Sequence, residues 1–525
     1  MNFKLHRWLA AVCIAGASSG IAAQGLTFSI QGFEVNGNTL LPASKVAQLV
    51  APFSGQDRSF TDVQMALESL ERAYRDMGYS AVAVTLPEQD ISGGVVRFVV
   101  IESKIGLVEI EGNQAFSEAN IRRSLPALVP GLMPNTITLA ENLALANGNP
   151  AKQVELSLRL SDQPGEVDAR VKVEESSITR WVVNLDNSGR GGIGGDWRLG
   201  LAWQHANLFD QDHLLTLQAT SPDQFKEVWQ FSTGYRIPVY GLGDSLEFFA
   251  GISNADAGTL TTGIDSFVGK GRTAGLRYTR NLRRLGEYDH ELRMGLDWKA
   301  YQNACDGVAC GLLDSAVTAT PLILSYQGTW ARPGAQTQWE LGYARNLGWG
   351  ENNRPSNYAR AAHQPGTVGT ERRYQLWRLT ASHLQMLPGN YQFRVNWTAQ
   401  FTGDPLIAGE QLGLTGSNQV RGYNERAVAR DRGQVLTLEL YSPDLSHLLP
   451  IKLDNVRLLV FADAAQGRYV ATSRQSVSVA SFGWGLRISH NNRYALKLDV
   501  AQGRHTVGTQ KRGQWTAHAL ISLSF

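Results

Sequence analysis

Three segments far apart in the chain alternate apolar and polar side chains over nearly the same length. In "DWRLGLAWQ", Trp197, Leu199, Leu201 and Trp203 fall on one side and Asp196, Arg198, Gly200, Ala202 and Gln204 on the other. "ELRMGLDWK" sets Leu292, Met294, Leu296 and Trp298 against Glu291, Arg293, Gly295, Asp297 and Lys299. "YQFRVNWTAQF" sets Tyr391, Phe393, Val395, Trp397, Ala399 and Phe401 against Gln392, Arg394, Asn396, Thr398 and Gln400. A period of two means a strand, but a half-buried strand of a soluble protein has the same period. Three further features decide. The segments are close to the roughly 9–11 residues with which a tilted strand crosses a bilayer. The apolar side carries Trp and Tyr towards its ends, as an aromatic girdle does, and the other side carries fixed charge that suits a water-filled lumen.

Strands of this kind start near residues 181, 197, 214, 227, 245, 271, 290, 320, 338, 374, 391, 434, 456, 479, 493 and 515, sixteen in all. An even number fits an antiparallel barrel in which all backbone groups are paired and no edge is left. The expected fold class is a transmembrane β-barrel of sixteen antiparallel strands over residues 177–525. Beyond the first residues no run of 18 apolar residues exists, which excludes a helical span. The last strand, "WTAHALISLSF", puts Trp515, Ala517, Ala519, Ile521, Leu523 and Phe525 on one face.

The start of the chain reads differently. "MNFKLHRW" is basic, "LAAVCIAGASSGIAA" is a short apolar run, and Ile21-Ala22-Ala23 offers a small-residue cleavage site, so residues 1–23 read as a secretory signal peptide. Lys4 and Arg7 leave with it, so 47 basic residues balance 47 acidic ones. That balance offers no footprint for nucleic acid. Cys305 and Cys310 in "NACDGVACG" suggest a small loop disulfide in an exported protein, with two free thiols as the alternative. Two thiols without a neighbouring His do not make a metal site.

Between signal and barrel the chain repeats itself. "FEVNGNTLLPASKV" (33–46) lines up with "VEIEGNQAFSEANI" (108–121), and "GGVVRFVVIES" with "GEVDARVKVEES". Each copy reads strand, helix, helix, strand, strand, over residues 24–103 and 104–176. In the first copy Thr61 and Gln64 are spaced as a capping box. Val63, Ala66, Leu67, Leu70, Tyr74 and Met77 then follow at helical spacing up to Gly78.

A signal peptide, two repeated modules and a sixteen-strand barrel together resemble the two-partner secretion transporters, the TpsB family of haemolysin and haemagglutinin exporters. The modules resemble polypeptide-transport-associated (POTRA) domains. "GEQLGLTGSNQVRGYNE" (409–425) is similar to the family's sixth extracellular loop, with Val420, Arg421, Gly422 and Tyr423 as its hallmark. "VFADAAQG" (460–467) is similar to a wall-strand motif with Phe461 and Asp463. "LDNSGRGGIGG" (185–195) with "NLFDQDHLL" (207–215) is similar to the first hairpin, and "NPAKQVELSLRL" (149–160) to the second module's sheet.

The resemblance implies an outer-membrane pore with periplasmic POTRA domains that exports an unfolded partner, a TpsA-like, large β-helical exoprotein. It implies that loop 403–433 folds back into the barrel and that Arg421 meets Asp463 on the inner wall, a fork suited to a carboxylate. Phe525 resembles the terminal assembly signal of outer-membrane proteins. Further implied partners are the barrel assembly machinery, periplasmic chaperones and outer-membrane lipid, with the chain acting as a monomer. Members often carry an N-terminal plug helix, but here the first module starts almost at the cleavage site. Cargo could add as a strand to the second module at Val154–Leu160, near the helix around Leu139–Leu145. The alternative is a barrel assembly factor of the same superfamily, although those resemble longer module arrays. An enzyme is not expected: the mature chain has no Gly-x-Ser-x-Gly elbow, and no catalytic residue, metal or cofactor is assigned.

Overall fold

The computed structural model describes residues 27–525 except 189–196, 223–228, 254–258, 263–264, 269, 303–315, 361–369 and 472–475. The signal segment 1–23, Cys305 and Cys310 thus lie outside the described residues.

In the first module, strand Gly32–Asn36 runs parallel to Val95–Glu102, which pairs antiparallel with Val82–Thr85. Helices Ala43–Val50 and Phe60–Asp76 accompany the sheet. The longer helix buries Val63, Ala66, Leu70 and Tyr74, the stripe that a 3.6-residue period dictates. Its capping box is not at Thr61 and Gln64. Ser59 is the N-cap, extended at φ −112°, and its N–H donates to Asp62 Oδ2 at 2.8 Å, so Thr61 already lies inside the first turn. A short ribbon of Phe28–Ile30 with Gly55–Arg58, unread in the sequence, completes the module.

The second module has strand Lys104–Glu111, helices Glu118–Ser124 and Thr136–Ala146, and strands Lys152–Leu160 and Glu166–Glu175. Glu166–Glu175 is central, leaving Lys152–Leu160 on an edge. This module is divided between the two compact units of the chain: Val129–Thr138 and Leu158–Asp168 group with the first module, Val108–Leu128 and Leu139–Ser157 with the barrel.

The repeat has a chemical reason. Gly37 and Gly112 hold φ of +83° and +86°, and a Cβ on either would sit 2.3 Å from a strand carbonyl, that of Val100 or Val173. Only glycine fits such a turn. The turns then meet the carboxylates that end each repeat. Glu102 accepts from the N–H groups of Thr39 and Leu40 at 2.8 and 3.0 Å. Glu175 accepts from those of Gln114, Ala115 and Phe116 at 2.7–3.1 Å.

Sixteen long strands, from Thr179–Asp186 to Trp515–Ser524, form the expected closed antiparallel barrel. The eighth strand, Pro321–Arg332, is extended by Val317–Ala319 in the same register against the seventh, Tyr288–Tyr301. The break falls before Pro321, which has no N–H to give a ladder. In the seventh strand Met294, Leu296 and Trp298 face out at 40–54 % exposure, while Asp297 and Lys299 are buried on the inner side. The last strand pairs with the first through five residue pairs, Leu520 with Asp186 to Ser524 with Val182. Beyond them the Trp181 N–H donates to the Phe525 carbonyl at 2.7 Å, and the Phe525 N–H to the Trp181 carbonyl at 3.0 Å.

Deleting Phe525 removes both bonds, each worth about 0.5–1.5 kcal/mol. The shortened chain is expected to lose its compact form on semi-native gels at a lower temperature and to reach the outer membrane in smaller amounts.

Candidate functional site: a loop locked to the inner wall

The connection between the eleventh strand, Gln392–Phe401, and the twelfth, Arg432–Tyr441, does not behave as a solvated loop. Val420 and Leu414 are fully buried and Tyr423 nearly so, packed with Val428 against Val435, Ala465 and Val479 of the wall. The thirteenth strand, Asn455–Arg468, explains what receives the tip. Leu458 and Val460 face out, so the alternation turns Phe461, Asp463 and Ala465 inward.

Arg421 meets these residues with its whole guanidinium. Nε and Nη2 donate to Asp463 Oδ2 and Oδ1, both at 2.8 Å, and the backbone N–H adds a third bond at 3.1 Å. Nη1 donates to Glu439 Oε1 at 2.7 Å and lies 3.6 Å from Asp499 Oδ2. The Phe461 ring lies under the guanidinium, 3.5 Å from its centroid, so a cation–π contact closes the face that hydrogen bonds cannot serve. Arg487 reaches Asp499 at 2.8 Å and Lys497 reaches the same carboxylate at 3.8 Å, so three carboxylates face three cations. Such balance matters because a buried charge is tolerated only when paired.

The other motif residues fix the approach. Gly422 has φ +87°, and a Cβ there would crowd Ala501 and Gly503 at 3.2–3.3 Å. Its N–H donates to His518 Nε2 at 3.0 Å, and its carbonyl accepts from Thr516 at 3.3 Å. Tyr423 Oη accepts from the His505 N–H at 3.0 Å and lies 3.1 Å from the Ala480 carbonyl. Among these, Glu439, Asp499 and His518 were not singled out from the sequence. Their signal was there as polar residues on inward positions of "TLELY", "LKLDV" and "TAHAL", but alternation does not say which inward residue meets which.

Comparison with known proteins gives this constellation its setting. The family model described as haemolysin secretion/activation protein ShlB/FhaC/HecB matches residues 165–488. The chain belongs to this haemolysin secretion/activation family. A second model, a ShlB-type POTRA domain, matches residues 28–103. The heme/hemopexin transporter protein HuxB of Haemophilus influenzae is 22 % identical over 91 % of this chain and 84 % of its own. The solved structure of CdiB from Escherichia coli covers 97 % of this chain and 93 % of its own at 19 % identity, with a TM-score of 0.78. BamA from Haemophilus ducreyi, lacking POTRA domains 1–3, superposes with a TM-score of 0.50 at 15 % identity; the family model, that of the secretion/activation proteins, makes the assembly-factor alternative the weaker fit. The chain is therefore an outer-membrane transporter of two-partner secretion that exports a partner protein, with its POTRA region in the periplasm.

Two further motifs of this secretion/activation protein meet each other. Lys152, from "NPAKQV", places Nζ 2.7 Å from Asp212 Oδ2 and 2.9 Å from Asn120 Oδ1, over the Phe116 ring. Asp212 belongs to "NLFDQDHLL", the turn between the second and third barrel strands, where Phe209, Asp210 and Asp212 all take positive φ. Asn149 donates to the Ala206 carbonyl at 2.6 Å and to Asp212 at 3.3 Å, Tyr240 donates to Asp212, and Ser117 donates to Asp210. Lys152 and Asp212 are essentially sealed from solvent. Burial pushes the Lys152 ammonium below its ordinary pKa, against the pull of Asp212. The sequence marked both motifs but gave no sign that they touch.

Removing one partner of a sealed pair leaves a bare charge, at a cost of about 3–5 kcal/mol, while replacing both with apolar residues is often tolerated. Lys152→Met or Asp212→Asn should each lower the melting temperature of the purified chain markedly. The Lys152→Met/Asp212→Leu double variant should lie closer to the parent, as read by circular dichroism in detergent.

Proposed function

We propose that this transporter keeps its sixth loop folded in the lumen through Arg421, Gly422 and Tyr423, and that the grip of Asp463 and Phe461 on Arg421 is a working part of export. The observation that supports this reading is the bidentate contact of Arg421 with Asp463, enclosed by Phe461 and Glu439 on the inner wall. A permanent cation brought into a lumen that must pass polypeptide needs a partner, or it would hold its own shell of water there.

Cargo capture is assigned to the second module. Strand Lys152–Leu160 is an edge, and Leu160 at its end is 90 % exposed, so an unfolded client can add a strand through main-chain bonds with loose sequence demand. The neighbouring helix, Thr136–Ala146, buries Leu139 and Leu145, which belong to packing rather than capture. The client is read as a large, TpsA-like β-helical exoprotein that reaches the periplasm unfolded. The transporter acts as a monomer in outer-membrane lipid after periplasmic chaperones and the barrel assembly machinery have placed it there. No catalytic role is proposed.

Arg421→Ala should leave a folded, heat-modifiable barrel and reduce the partner protein in the culture medium at least tenfold. Arg421→Lys keeps the charge but loses the fork, and should fall between the two. Parental secretion by Arg421→Ala would overturn the role given to the loop.

A further inference from the structure

Eleven residues before Arg421, the same loop buries a charge of opposite sign. Glu410 is 2 % exposed. Its Oε1 accepts from Lys299 Nζ at 3.1 Å and Tyr301 Oη at 2.8 Å, and its Oε2 from Arg378 Nη2 at 3.0 Å. The Glu410 carbonyl accepts from Gln400 Nε2 at 3.0 Å and from Arg378 Nη2 at 3.3 Å. The side chain thus has cations on both oxygens, and the backbone at that residue is tied as well.

The partners come from a different part of the wall. Lys299 and Tyr301 are on the seventh strand, Arg378 on the tenth, Gln375–Met386, and Gln400 on the eleventh. Those of Arg421 are Glu439 on the twelfth strand, Asp463 on the thirteenth and Asp499 on the fifteenth, Tyr494–Gly503. The two sets share no strand. Between them the loop is a ribbon: Leu412–Gly413 pairs with Ala429–Arg430, and Arg426 on the returning limb donates to the carbonyls of Ala408 and Gln411 at 3.0 and 3.1 Å. A loop with one fixed point could swing about it, whereas two fixed points joined by a tied ribbon determine its position.

We infer that Glu410 is a positioning residue for export, a stem anchor that works with the Arg421 tip anchor to hold the loop across the lumen. The inference rests on the proposed role of the loop. The charges are crossed, cation into acidic wall at the tip and anion into basic wall at the stem, so neither end can dock in the other's place. Release of either anchor should free the buried ribbon, and loss of both should do no more to export than loss of one.

The test uses the full-length transporter in cells, with Cys305 and Cys310 changed to serine and a single cysteine at Leu414, a loop position with no exposure. A membrane-impermeant maleimide should leave Leu414→Cys unreactive in that parent. Glu410→Gln should raise its labelling at least tenfold, lower the exported partner at least tenfold and keep the heat-modifiable barrel. Adding Arg421→Ala should lower export no further than Arg421→Ala alone, an outcome that two unrelated structural losses would not give. Labelling and export within twofold of the parent in Glu410→Gln would overturn the inference. Should Glu410→Gln fail to accumulate, Lys299→Met and Arg378→Met remove the same contacts from the wall side and are judged by the same labelling. Labelling does not depend on export, so a parent that secretes no partner would count against the proposed function, while the anchor would still be decided.

Discussion

A strand in lipid has no water to satisfy its backbone, and that constraint governs the barrel. It forces the ladder to close on itself, and closure forces every second side chain inward. Many inward positions of a water-filled lumen are polar, and those here include Asp463, Glu439, Asp499, Lys299 and Arg378. Asp463, Glu439, Asp499 and Lys299 are buried beneath the folded loop, while Arg378 stays half-exposed, and buried charges need partners. The loop brings Arg421 to the first three and Glu410 to the other two, so the wall and the loop neutralise each other.

This arrangement puts the specific chemistry at the boundary between a generic scaffold and an inserted loop. The outward face, with Met294, Leu296 and Trp298, needs only to be apolar and of the right length. The inward face needs particular residues at particular heights, because a guanidinium fork and a glycine with positive φ tolerate little displacement. Tyr423, packed beside Gly503, shows how tight the fit is: a Cβ on that glycine would come within 2.9 Å of the ring.

How much of this was legible follows from the range of each interaction. Alternation is local, so the strands, their count and the inward side of Asp463 could be read from neighbours two residues apart. The helix start was misplaced by two residues because Ser59–Asp62 and Thr61–Gln64 both satisfy the capping spacing, and backbone conformation chooses between them. The pairing of Lys152 with Asp212 joins residues 60 apart and leaves no periodic trace. Glu410 was passed over inside a quoted motif, since a carboxylate in a polar loop ordinarily points to water. The wall residues that hold it, Lys299 and Arg378, sit 111 and 32 positions away. The repeat was legible as similarity, but its cause, a terminal carboxylate returning to a glycine turn, needed coordinates.

The seam between the first and last strands carries a consequence for how the molecule comes into being. Arg180 reaches Ser524 across 344 positions, from the first barrel strand to the last. Ring formation is therefore the contact of highest order in the fold, and entropy places such contacts late. Because the closing pairs join the first barrel strand to the last, the ring closes only once both are in place, and a sheet lacking that contact keeps two unpaired edges.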